Sequence, residues 1–324
     1  FFRVMNPKIS IIIPIYNAAD LIDRCIKSIL SQTFQDYEIV IVDDESTDDS
    51  LSVCKEIAKK DDRISIFHQQ NGGQVAARGR GFKESSGEFV YFVDADDFLP
   101  KDALNSLYSR AMKHNLDIVD GASISYYEDF TIKEKVIFPQ EGVFDKLDYL
   151  RLMFKNQANN GTHACLVKRT LFTSEVFDIP RNVRLGEDAF IHLCFTQQAS
   201  RIGIFNDIVY YYVQNRNSIT NNYVYTSIRP VEYQIESIRK ILEKYNQFEM
   251  FKHPFYNRAV GHLITACIRN PKLVKDPYVY RIANESYPVI NSLSGKVYCV
   301  VMKYPIFLPS LRKLNKLRKL LNKI

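Results

Sequence analysis

The chain has 324 residues, 46% of them hydrophobic and 25% charged, with a formal net charge of +6. That balance excludes a disordered segment and fits a folded protein of one large or two modest domains. Six cysteines (Cys25, Cys54, Cys165, Cys194, Cys267 and Cys299) lie far apart without a C-x-x-C pair, which argues against both a zinc site and a disulfide framework.

Short β-rich runs alternate with helical patterns over the first 125 residues, the signature of parallel strands joined by crossover helices. Residues 9–15 (ISIIIPI) are almost wholly apolar, as a strand buried on both faces should be. Leu21, Ile22, Cys25, Ile26, Ile29 and Leu30 then recur at helical spacing. The unit repeats as strand 37–42 and helix 50–60, strand 64–68 and helix 74–85, and strand 89–93 and helix 102–114, with a fifth strand at 117–124. In open α/β sheets the ligand crevice lies beyond the carboxyl ends of the strands. Four polar segments stand there: Pro14 to Asn17, Asp43 to Ser46, Asn71 to Gly73, and Asp94 to Asp97.

From residue 126 the alternation stops. The pattern predicts a hairpin over 126–138, a helix near 145–156, a loop holding Arg184 to Asp188, a helix over 189–198, and short strands at 201–205 and 208–213. Beyond 222 the chain reads mainly helical. The expected organisation is a 1–222 catalytic domain, with a nucleotide-binding half (8–125) and an acceptor half (126–222), and a 223–324 helical region. Residues 311–324 carry six Lys or Arg and no acid, and their leucines fall on one half of a helical wheel. The other 37 basic residues balance the 37 acidic ones, so the excess charge is local and no nucleic-acid partner is expected. The tail reads either as a basic amphipathic helix on an anionic membrane surface or as a terminal helix docked on its own domain or a partner subunit. No leader and no run of about 18 apolar residues is seen, so a cytoplasmic protein is expected, with peripheral membrane contact through 311–324 and a homo-oligomer interface on the C-terminal helices as the partner surfaces.

Asp94-Ala95-Asp96-Asp97 is the most informative segment. Three carboxylates after a buried strand repel one another unless a cation sits among them, and hard oxygen ligands suit Mg²⁺ or Mn²⁺. A solvated turn that caps the next helix would read the same way. Asp43 and Asp44 can accept from a base or a ribose, or simply shape a turn. Asn71 to Gln74 opens a helix whose amides can face a phosphate, with Arg78 one turn in, or it is a plain glycine turn. Glu187-Asp188 offers an ionised carboxylate at a helix start, fit either to take a proton from a hydroxyl or to cap the helix. No G-x-G-x-x-G follows the first strand and no G-x-S-x-G is present, so neither a nicotinamide enzyme nor a serine hydrolase is indicated.

Taken together, 11–50 (IIIPIYNAADLIDRCIKSILSQTFQDYEIVIVDDESTDDS), NGGQVAARGRG from Asn71, GEFVYFVDADDFLP from Gly87 and LGEDAF from Leu185 resemble glycosyltransferase family 2, inverting enzymes of the GT-A fold. The resemblance implies one Rossmann-like, mostly parallel sheet flanked by helices and followed by a mainly helical region. It implies a UDP-sugar donor held by Pro14, Tyr16, Asp43, Asp44, Arg78, Asp94, Arg216 and Ser218. It further implies Mn²⁺ or Mg²⁺ on Asp96 and Asp94, and Asp188 as the catalytic base. Asp97, Glu187 and His163 are candidates for the acceptor side, where a glycan or a lipid- or protein-linked glycan would supply the hydroxyl. One departure stands out: members commonly have Ala-Arg-Asn where this chain has Ala77-Arg78-Gly79. A sugar-phosphate nucleotidyltransferase, releasing pyrophosphate rather than UDP, and a non-catalytic nucleotide-sugar-binding scaffold at the membrane are the competing readings.

Overall fold

The computed structural model describes residues 6–181, 183, 186–214 and 223–311. Arg216, Ser218, Arg184, Leu185 and tail residues 312–324 therefore lie outside the described residues. The chain divides into two compact units, residues 1–181 with 187–218 and residues 182–186 with 219–324.

Nine strands among the described residues form one sheet in the first unit. Its first part is parallel, in the order β3 (Ile64–His68), β2 (Tyr37–Asp43), β1 (Ile9–Ile15), β4 (Phe89–Phe92). The crossovers are α1 (Ala19–Leu30), α2 (Ser50–Ala58) and α3 (Gln74–Glu84), and α4 (Ala103–His114) leads on to β5 (Ile118–Tyr126). Every residue of β1 is buried, because helices cover both faces. Ile9, Ile11, Ile13 and Ile15 join one core with Ile22, Cys25, Ile26 and Ile29 of α1. Full burial of each such isoleucine contributes about 1.5–3 kcal/mol, so a charged residue at Ile26 would unseat the helix. Ile12 points the other way, where a Cβ on Gly81 of α3 would come 2.4 Å from its Cγ2. Only glycine lets α3 lie this close to the sheet.

Beyond β4 the sheet becomes mixed. The fifth strand does not continue the alternation beside β4, because the four-residue β8 (Cys165–Lys168) inserts between β4 and β5, antiparallel to both. So short a run gives no periodic signal. The two short strands expected near 201–213 are one strand, β9 (Ile202–Val213), parallel to β5 with shifts of register. Near the shift, Asn206 exchanges two hydrogen bonds with the backbone of Phe138, and that polar interruption mimics a strand end in the sequence. The hairpin expected over 126–138 forms further back, because its first strand is β5 itself: Ser123 to Tyr126 pair with β6 (Ile132–Val136), and β7 (Gly142–Phe144) closes on β9. Two more helices complete the unit, α5 (Lys146–Phe154) and α6 (Glu187–Gln198). All six cysteines are free and buried.

The second unit is helical: α7 (Arg229–Lys244), α8 (Phe248–Arg269), α9 (Pro277–Ser286) and α10 (Leu293–Lys303). Ile235, Ile238, Leu242, Phe255, Leu263, Ile282 and Cys299 are buried within it. Arg239 pairs with Glu285 at 2.8 Å beneath the rings of Phe248, Phe255 and Tyr256. Among the described residues no helix is long and apolar enough to cross a membrane.

Candidate active site

The carboxyl ends of β1, β2 and β4 meet on one edge of the sheet. Pro14 is buried opposite Val42, and Tyr16, just past β1, is 54% exposed. Asn17 ties the β1 end to the β2 loop, its side-chain oxygen accepting from the Thr47 amide at 2.8 Å and its amide donating to Ser46 Oγ at 3.1 Å. Asp43 and Asp44 are both buried. His68 Nδ1 lies 2.7 Å from Asp43 Oδ2, and the Ser46 amide donates to Asp43 Oδ1 at 3.3 Å. Asp44 accepts from Gln69 at 2.7 Å and from the amides of Gly72 and Gly73, each at 2.8 Å. Two amides expected to face a phosphate therefore face Asp44, because a fixed carboxylate is the nearest anion to this turn. Gly73, at φ +89°, supplies the left-handed step that aims them there.

The β4 segment is held differently. Asp97 is fully buried, with Tyr210 donating to one oxygen at 2.6 Å and the Val213 amide to the other at 2.8 Å. These are the bonds of a structural carboxylate that pins the loop to β9. Burial and the charges of Asp96 and Asp94 push its pKa up, against the pull of those two bonds. No other described residue donates to the Asp96 carboxylate, whose pKa burial and Asp94 raise to about 6. Among the described residues Asp94 accepts on Oδ1 alone, from Gln74 at 2.9 Å and Arg78 at 2.8 Å, and its amide donates to Tyr210 Oη at 3.2 Å.

Arg78 links this segment to α6. It is 1% exposed, and its second terminal nitrogen lies 2.6 Å from Asp188 Oδ1. The same oxygen accepts from Thr162 Oγ1 at 2.9 Å. Asp188 and Asp94 hold Arg78 charged although burial opposes it. Burial also disfavours the Asp188 anion, but the charge of Arg78, helped by His163 and Thr162, lowers its pKa overall. Asp188 thus sits ionised in the first turn of α6, where the helix dipole favours it. One guanidinium binds Oδ1 of each aspartate, and no described residue donates to either Oδ2. Those two oxygens are the open positions of the site, on side chains 26% and 36% exposed.

Glu187 stands beside Asp188 with a buried, unpartnered Oε2, its pKa raised to about 7 by burial and by the Asp188 charge. His163 packs against the rings of Tyr210 and Tyr212, with centroids 5.3 and 6.3 Å away. Gly79 has a packing reason: a Cβ there would meet Phe177 at 3.1 Å, so a longer side chain would displace that ring.

Behind the site, Asp120, Cys165 and His192 bring their ligand atoms within 4.8 Å of one another. Asp120 Oδ2 and both His192 nitrogens are already engaged, while Asp120 Oδ1 is buried without a partner. The Tyr149 hydroxyl bonds Asp120 Oδ2 and lies 2.6 Å from His192 Nε2, while His192 Nδ1 faces the Gly161 carbonyl at 2.8 Å. The network fixes the Gly161-Thr162 turn that reaches Asp188.

The model of "Glycosyl transferase family 2" matches residues 10–174. The chain belongs to glycosyl transferase family 2. "Uncharacterized glycosyltransferase EpsJ" of Bacillus subtilis is 32% identical over 228 residues, covering 67% of this chain and 64% of that relative, so the match spans under two thirds of its length. Among solved structures, S. aureus TarS 1-349 in complex with UDP-GlcNAc superposes with a TM-score of 0.64 at 19% identity, covering 91% of this chain and 89% of that one. Mannosyltransferase PcManGT from Pyrobaculum calidifontis in complex with GDP-Man and Mn²⁺ superposes with a TM-score of 0.54 at 17% identity, covering 97% and 89%. This member of the family therefore has the GT-A fold that its motifs implied. Thr162, Gln74 and Tyr210 were not legible as site residues. Tyr210 had a signal in the aromatic run of β9, and Gln74 one in its place in the Asn71 to Gln74 segment, whose backbone rather than side chain was read.

Proposed function

We propose that this family 2 glycosyltransferase moves a sugar from a UDP-sugar to a hydroxyl of a glycan or a lipid- or protein-linked glycan, with inversion at the anomeric carbon. One observation carries the reading: Arg78 binds Asp94 and Asp188 together through their Oδ1 atoms and leaves both Oδ2 atoms open. A donor-side and an acceptor-side carboxylate are thereby held at a fixed spacing by a charge that cannot leave.

Asp188 acts as the base. It is ionised at neutral pH, its Oδ1 is fixed by Arg78 and Thr162, and Oδ2 accepts the proton of the incoming hydroxyl as that oxygen attacks the anomeric carbon. Asp96 and Asp94 fit Mn²⁺ or Mg²⁺, because Asp96 is a half-buried carboxylate short of donors whose charged form needs a positive neighbour. A cation held by these carboxylates would supply positive charge to offset that of the departing diphosphate. Arg78 orients both carboxylates rather than reaching the donor itself. Tyr16, exposed at the end of β1, offers a ring face to a nucleobase. Asp43 and Asp44 shape the loops beneath the nucleotide. Arg216 and Ser218 are proposed to close over the diphosphate. Glu187 and His163 line the acceptor side. TarS with UDP-GlcNAc supports the choice of UDP, and the mannosyltransferase with Mn²⁺ supports a divalent cation.

The test is to incubate the protein with a panel of UDP-sugars and Mn²⁺ and to follow the nucleotide product. Release of UDP that EDTA abolishes is expected. Release of pyrophosphate from a nucleoside triphosphate and a sugar phosphate, or no turnover with any UDP-sugar, would overturn the proposal.

A further inference from the structure

The helix α10 is amphipathic twice over. Gly295, Cys299, Val301 and Met302 are buried in the second unit. On its other side Leu293, Val297, Val300 and Tyr304 follow one another at steps of four, three and four, which places them in one stripe. Leu293 is 80% exposed, and the 3₁₀ turn after the helix adds Ile306, also 80% exposed, and Phe307 at 52%. Val297 and Tyr304 are 42% and 59% exposed. A soluble surface scatters such side chains singly, whereas here five large ones fall within 15 residues.

The charged residues of the segment that carries the stripe have one sign. Lys296 and Lys303 flank it, their ammonium groups 5.9 and 4.9 Å from the ring centroid of Tyr287. From Ser286 to Ile324 the chain contains eight Lys or Arg and no Asp or Glu. We infer that the α10 stripe and the turn 305–307 form an interfacial surface that lies on an anionic lipid bilayer. The eleven-residue helix is too short to span a bilayer, so it lies in the interface plane. Leu293, Val297, Ile306 and Phe307 enter the acyl boundary, Tyr304 and Tyr287 sit at headgroup depth, and the lysines meet lipid phosphates. A second copy of this chain fits less well, because a two-fold contact on the stripe would bring both sets of lysines together. An acidic protein would satisfy the charge but does not account for aliphatic tips standing 80% out of the surface.

Flotation of the full chain with vesicles of phosphatidylcholine alone, and with phosphatidylglycerol added, tests this directly. Binding is expected only with the anionic lipid, weakened by salt, and reduced roughly tenfold or more in Leu293→Glu/Ile306→Glu. Both side chains are exposed, so the variant should fold, with UDP release in the absence of vesicles as the control. Equal binding to both vesicle types, or binding untouched by the double substitution, would overturn the inference. Light scattering without lipid separates the remaining case: a dimer that the same variant converts to monomer, with no vesicle binding in the parent, would make the stripe a self-association face and refute the membrane assignment.

Discussion

The acids after β2 and those after β4 occupy equivalent places in the sheet, yet the protein treats them in opposite ways. Asp44 is buried with three donors, two of them backbone amides, so its charge is fully spent inside the fold. Asp96 has no comparable donors among the described residues, and burial and the charge of Asp94 raise its pKa to about 6, so its charged form is held at a cost. Asp94 lies between these cases, satisfied on one oxygen and open on the other. A satisfied carboxylate holds a loop, whereas a short-changed one is kept for an incoming positive group.

That contrast can be broken by substitution. Asp96→Asn should lower metal-dependent transfer by about a hundredfold or more while leaving the melting temperature unchanged or higher, because it removes a charge the fold does not neutralise. A fall in melting temperature with activity retained would place Asp96 with Asp44. Asp44→Ala should do the reverse, costing about 3 kcal/mol in denaturant unfolding as two buried amides and Gln69 lose their acceptor. Tyr149→Phe should cost about 2 kcal/mol and slow transfer several-fold with donor affinity unchanged, since the Asp120 and His192 bonds behind Thr162 are lost. Unchanged stability in that variant would show the network to be idle.

Glu187 sharpens the comparison through pH. Its folded pKa of about 7 exceeds the ordinary carboxylate value, so the folded state keeps a proton that the unfolded chain has released. This contribution to stability is present at low pH, falls as pH rises from about 5 and is lost above about 7. Unfolding of Glu187→Gln at several pH values should show a flatter dependence over that window. An identical slope would contradict the raised pKa.

Much of the parallel part of the sheet was legible, because Ile9–Ile15 and the stretch from Ile39 to Val42 within Tyr37–Asp43 are buried and write that into runs that are mostly or wholly apolar. The inserted β8 was not, since four residues carry no period and only pairing with β4 and β5 makes them a strand. At the site, residue types were readable but partnerships were not. Asp188 and Asp94 stood out as acids at element ends, while their link through Arg78 spans 110 and 16 positions of sequence and exists only in the fold. Likewise Asp97 reads like its neighbours until Tyr210 and Val213 are seen to claim both its oxygens.

The most direct test of the Arg78-bridged pair is Asp188→Asn, measured for both UDP-sugar binding and sugar transfer. The substitution keeps the Oδ1 contact to Arg78 and removes the proton-accepting Oδ2. Donor affinity within a few-fold of the parent, with kcat for transfer lower by about 10²–10⁴, is the predicted result. Full transfer activity in that variant would remove Asp188 from the chemistry and leave the bridge a purely structural ion pair.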